Sequence, residues 1–127
     1  MHRNIYNKRQ DVNAVVHTHS PFNIGVSISS TRFQHVIEEP KIVVGQPVII
    51  SNKPSGSKGL AESVSGAFQR GGGATGAVVI KNHGVVAVGK DIHQARAVVE
   101  SLEEWAKIIT VSKKLGGAKD YLTQRDI

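Results

Sequence analysis

The chain has 127 residues, 39% hydrophobic and 20% charged, the size and make-up of one soluble globular domain able to bury a real core. It contains no cysteine, which excludes disulfides, thiolate nucleophiles and every Cys-based zinc site, and leaves any metal to His, Asp or Glu. The net charge of +6 is scattered without a stripe and only 5% of residues are aromatic, so a basic solvated surface or a phosphorylated small-molecule partner fits better than nucleic acid.

In chain order, His2 to about Arg9 reads as the last turns of a helix, broken at Gln10-Asp11. Its polar character lacks the apolar centre of a signal peptide, and no later run approaches the ~18 apolar residues that span a bilayer. No membrane partner is expected, and the expected location is cytoplasmic. Val12 to Val16 reads as a buried strand ending in His17-Thr18-His19. Ser20 then suits an N-cap and Pro21 the first helical position, with a helix to about Ser29. Ile42–Val44 and Val48–Ile50 look like short strands around the turn-like Gly45-Gln46-Pro47.

Pro54 to Gly59 reads as a loop. Leu60, Ala61, Val64, Ala67 and Phe68 recur at helical spacing, and Gly71-Gly72-Gly73 closes that helix. Ala77–Ile80 and Val85–Val88 read as strands joined by the turn Lys81-Asn82-His83-Gly84. Asp91 can cap a last helix whose apolar stripe is Ile92, Ala95, Val99, Leu102, Ala106 and Ile109, with Lys113 and Lys114 where the helix dipole favours cations. Gly116-Gly117 ends it. Interleaved strands and helices give an α/β or α+β class with helices packed on a sheet.

With Cys absent, the histidines are the groups to map. His17 and His19 lie two apart at a strand end, so the period of two points both to one face. His83 sits in a turn that could close the third side of a metal site, leaving a fourth position for water or substrate. Three protein ligands with an open position is the pattern of catalytic zinc, although Co, Ni, Mn or Fe also suit imidazole. The competing reading of a His-x-His alone is an exposed or core-satisfied pair. His2 and His93 fall in helices and read as structural or surface groups; His35 could be either.

The segments His2–Tyr6 and Arg9–Pro21 resemble the metal-binding segment of class II aldolases of the fuculose-phosphate aldolase and ribulose-phosphate epimerase type. Val79–Gly89 is similar to that family's third-histidine segment. Gly56-Ser57 with Leu60-Ala61, and Glu103-Glu104 with Ala106–Ile108, match the helices on either side of it. The resemblance spans nearly all of residues 1–127 as one domain. It implies a three-layer α/β/α sandwich around a mostly antiparallel sheet, often a cyclic homotetramer with active sites near subunit interfaces. It also implies cleavage of a ketose phosphate to dihydroxyacetone phosphate and an aldehyde, with Zn2+ or another divalent ion on His17, His19 and His83.

The match departs from the family's pattern at the base. The family's acid/base glutamate would precede Met1, as would its phosphate-binding Ser-rich and Gly-Asn segments, so the resemblance is to a member short at its N-terminus. A tyrosine used by some aldolases is unmatched near Asn52. Glu38 and Glu39, the first carboxylates after the histidine pair, are candidates for a replacement base, against a solvated acidic turn before Pro40. Ser55 and Ser57 are candidates to cradle phosphate ahead of a helix, against simple capping by Ser57. Glu103 and Glu104 are expected to face solvent or another chain, and His2 could support the metal ligands from behind. Epimerase or dehydratase chemistry on a related sugar phosphate would use the same histidines. A non-catalytic metal-binding or assembly domain, as in adducin-like relatives, is the competing class.

Overall fold

The computed structural model of the protein describes residues 1–71, 73 and 75–123. Its elements are α1 (His2–Lys8), β1 (Ala14–Thr18), α2 (Pro21–Ile28), α3 (Glu38–Val44), β2 (Val48–Ile50), α4 (Lys58–Gly71), β3 (Ala77–Ile80), β4 (Gly84–Gly89) and α5 (Ile92–Lys114). The sheet order is β1-β4-β3-β2. β4 pairs antiparallel with β1 and with β3, and β2 pairs parallel with β3. The sheet is thus mostly antiparallel, as the resemblance implies.

The period of two along β3 and β4 divides the interior. Ala77, Val79, Val85 and Ala87 point into a cluster with Val26 of α2, Val44 of α3, and Leu102, Trp105, Ala106 and Ile109 of α5. Val78, Ile80, Val86 and Val88 point to the other side, against Ile5 of α1 and Leu60, Val64, Ala67 and Phe68 of α4. With helices on both faces, β3 and β4 are buried throughout, which explains their continuous rather than alternating apolar runs. The architecture is the three-layer α/β/α sandwich.

Three readings of the apolar pattern are corrected. Ile42–Val44 are not a strand but the end of α3. Three β-branched residues cannot distinguish the two periods, and what decides is upstream: Glu38 and Glu39 in the first turn suit the helix dipole, and Pro40 falls where its missing N–H is not needed. Gly45, at φ 74°, then stops the helix. Ile92 is not on the buried stripe of α5 but 57% exposed, because it opens the helix before the stripe reaches the sheet. Val98 and Trp105 take buried places on that stripe, and the indole N–H of Trp105 donates to the Gln34 carbonyl at 2.7 Å. Asp91 does cap α5, its Oδ1 accepting from the Gln94 N–H at 2.8 Å. Gly116 and Gly117 end it with φ of 103° and 96°. β1 begins at Ala14, two residues later than its apolar run, because Val12 is in the turn from α1, where its N–H donates to Arg9. Of the Gly71–Gly73 stop, Gly72 lies outside the described residues.

Candidate metal centre

The end of β1 and the β3–β4 hairpin meet at one rim of the sheet. Thr18 pairs with Val85 and Ile80 with Gly84, so β4 has β1 on one flank and the hairpin's β3 on the other. The hairpin is tight: the His83 N–H donates to the Ile80 carbonyl at 3.1 Å, and Asn82 takes φ 61°. Asn tolerates this left-handed conformation better than other non-glycine residues. Gly84 lies hard against β1. A Cβ there would overlap the Thr18 carbonyl oxygen and stand 3.1 Å from His19 Cδ2. Glycine is what lets the hairpin approach the histidine pair.

These constraints bring together the three histidines expected from the sequence. Ring centroids are 5.2 Å apart for His17–His19, 5.1 Å for His17–His83 and 5.4 Å for His19–His83. One ligand nitrogen from each lies within 4.8 Å of the others. Zinc–nitrogen bonds of about 2.0–2.1 Å put tetrahedral ligand nitrogens about 3.4 Å apart, so side-chain adjustments on the order of 1 Å would close the set on one ion. The rings are inclined by 59° to 81° rather than stacked, which leaves the nitrogens free to converge.

The chemistry of the donor set also fits a cation. His17 Nδ1 lies 2.8 Å from the Val85 carbonyl oxygen. A carbonyl only accepts, so Nδ1 carries the proton and Nε2 keeps the free lone pair. His83 is held below the ordinary imidazole value, first by burial and then by repulsion from His17 and His19, so its neutral, ligand-competent form is favoured. His2 of α1 is shifted the same way, by burial first, then by the N-terminal charge and His17. His2 is therefore within electrostatic reach of His17.

The other candidates are placed differently. Ser57 Oγ accepts from the Leu60 N–H at 3.1 Å and so caps α4. Ser55 is exposed in the same loop. That loop leaves the end of β2 that pairs with Ile80, and so shares a rim with the His83 hairpin; Lys81 donates its N–H to Ile50 there. Glu38 and Glu39 are exposed in the first turn of α3, and among the described residues no hydrogen bond or ion pair ties them to the histidines. His93 is exposed on α5 and His35 is half-buried between α2 and α3. Glu103 departs from expectation. Its carboxylate is half-buried against α2 and accepts from the backbone N–H groups of Phe22 at 3.2 Å and Asn23 at 2.9 Å. Ser20, the expected cap, makes no such bond; its Oγ is 2.7 Å from Thr18 Oγ1. No local signal announces a cap supplied from 80 positions away.

Comparison with known proteins gives the family and the fold. Residues 1–110 match the family model of the class II aldolase and adducin N-terminal domain. The chain is 38% identical to an L-fuculose phosphate aldolase of Methanococcus maripaludis strain C7, over 85% of this chain and 57% of that protein. It is 30% identical to a 5-deoxy-D-ribulose 1-phosphate aldolase of Bacillus thuringiensis serovar kurstaki, over 94% of this chain and 54% of that protein. The solved L-fuculose-1-phosphate aldolase of Thermus thermophilus superimposes with a TM-score of 0.77 at 23% identity, over 95% of this chain and 63% of the other, and shares the fold. The chain spans roughly six-tenths of the length of the curated relatives it matches.

Proposed function

Since the chain belongs to the class II aldolase and adducin family, we propose that residues 1–127 act as one metal-dependent lyase domain cleaving a ketose phosphate into dihydroxyacetone phosphate and an aldehyde, as fuculose-phosphate aldolases do. The observation that carries this reading is the convergence of His17, His19 and His83 nitrogens within 4.8 Å. A bound divalent ion, Zn2+ or another, would supply Lewis acidity toward the substrate's carbonyl and hydroxyl oxygens. His17 offers it Nε2 because Val85 holds the Nδ1 proton, and His83 favours the neutral imidazole that such a ligand requires. The loop bearing Ser55 and Ser57 shares the histidine rim and is the proposed phosphate side, with Lys53 and Lys58 beside it. Glu38 and Glu39 remain the candidates for moving the proton.

Epimerase or dehydratase chemistry on a related sugar phosphate is the alternative within the same site. A non-catalytic assembly domain is disfavoured by the three clustered imidazoles, for which assembly has no use. Family membership also supports a homo-oligomer, a tetramer by resemblance, acting in the cytoplasm. No described helix is long and apolar enough to cross a membrane.

The test is elemental analysis with a ketose-phosphate cleavage assay. One divalent ion per chain, lost in His83→Ala, with cleavage abolished by chelator, is the expected result. Cleavage indifferent to chelator would refute the metal mechanism, and a metal-bearing protein inert on every ketose phosphate would leave the epimerase, dehydratase or non-catalytic reading.

A further inference from the structure

His17 is oriented by its own hydrogen bond to Val85, and His83 by the hairpin turn it closes. His19 has neither device. Its side chain is exposed and makes no hydrogen bond among the described residues, and its ring lies against the other two imidazoles and beside Gly84. Its place is therefore set by the backbone on either side. Before it, Thr18 is locked into β1 by pairing with Val85. After it, Ser20 leads directly into α2.

The start of α2 is held from another element. Ser20 and Thr18 bond to each other across His19, so neither hydroxyl caps the helix. The orphan N–H groups of Phe22 and Asn23 instead meet both carboxylate oxygens of Glu103, midway along α5. A carboxylate at this end also suits the helix dipole. One turn farther along α5, the Lys107 ammonium lies 5.6 Å from the centre of the Phe22 ring, a second grip on the same turn.

We propose that Glu103 is a positioning residue for the metal centre: by capping α2 across the layer it fixes the backbone that aims His19 at the other two imidazoles. This rests on the reading that the three histidines bind a cation. The carboxylate touches no reacting atom; it acts through three residues of chain. Glu103→Gln keeps the size of the side chain but leaves one acceptor oxygen for two N–H donors, so the turn loosens and His19 is less well placed.

The experiment is titration of the metal-free full chain with Co2+, read by its visible absorption, in wild type, Glu103→Gln, Glu103→Asp, Glu104→Gln, His19→Ala and the Glu103→Gln/His19→Ala double variant. Glu103→Gln is expected to weaken Co2+ binding about tenfold or more, the usual effect of losing a residue that orients a ligand, and to alter the band intensity. Glu104→Gln, exposed on the same helix, should match wild type. In the His19→Ala background the Glu103 effect should vanish, because the ligand it positions is gone. Equal loss in both backgrounds would show a general structural role and overturn the proposal, as would wild-type affinity and spectrum in Glu103→Gln. If Glu103→Gln fails to fold, Glu103→Asp, with both oxygens set back by one methylene, is read through the same cycle. Wild type that binds no Co2+, or His83→Ala that binds as tightly as wild type, would refute the metal reading itself and is thereby distinguished.

Discussion

Replacing Gly84 with alanine tests how closely the hairpin approaches β1. The added Cβ would overlap the Thr18 carbonyl oxygen and stand 3.1 Å from His19 Cδ2 and 3.2 Å from the Thr18 carbonyl carbon. Carbon atoms rest about 3.5–4.0 Å apart, so β1 and the hairpin must separate by an amount on the order of 1 Å. The obstacle is backbone within a paired ladder and cannot swing aside, so overpacking of about 1–3 kcal/mol is expected. With a urea slope of about 1–3 kcal/mol/M, that lowers the midpoint by roughly 1 M. The same separation draws His19 away from His83, so Co2+ affinity should fall with stability. Gly25→Ala is the matched control. It is an exposed position in α2 with nothing within 4 Å of the new Cβ, and helix propensity should raise stability by about 0.5–1 kcal/mol. A Gly84→Ala midpoint equal to wild type would refute the reasoning, because it would mean that the hairpin does not press on β1.

Stability should depend on pH through His83 and His2, both held below the ordinary value near 6.5 by burial first. The unfolded chain then takes up protons before the folded one, so the urea midpoint of the metal-free protein should be highest above about pH 7 and fall as pH drops through about 6.5 toward 5. A flatter profile is expected of His83→Asn, and a midpoint that rises on acidification would contradict the assignment. Asn23 is fully buried with neither side-chain amide atom hydrogen-bonded among the described residues. Asn23→Leu, near in size, should therefore raise the midpoint by the equivalent of about 1–3 kcal/mol, and a fall would show that the amide has a partner.

The histidine cluster was legible in the sequence because its signals are local. His17 and His19 share a face by the period of a strand, and Asn82-His83-Gly84 carries its turn chemistry in three consecutive residues. The apolar runs of β3 and β4 likewise announced strands. Ile42–Val44 misled because three β-branched residues look alike in either period, and the deciding residues, Glu38, Glu39 and Pro40, look equally like a turn. Ile92 misled because a helical stripe says which residues share a face but not where along the helix the sheet begins. Glu103 was invisible for a different reason. A carboxylate on an amphipathic helix resembles any solvated one until its partners, 80 residues away, are brought beside it.

Strand β4 hydrogen-bonds to both neighbours, sends side chains into both apolar clusters, and supplies the Val85 carbonyl that steers His17. The rim imidazoles are therefore anchored to what should be the slowest-exchanging amides of the molecule, not to a loop that opens on its own. An ion seated there would register as deuterium protection across the central strand and its flanks, and by mass action would tighten the whole fold rather than one corner of it.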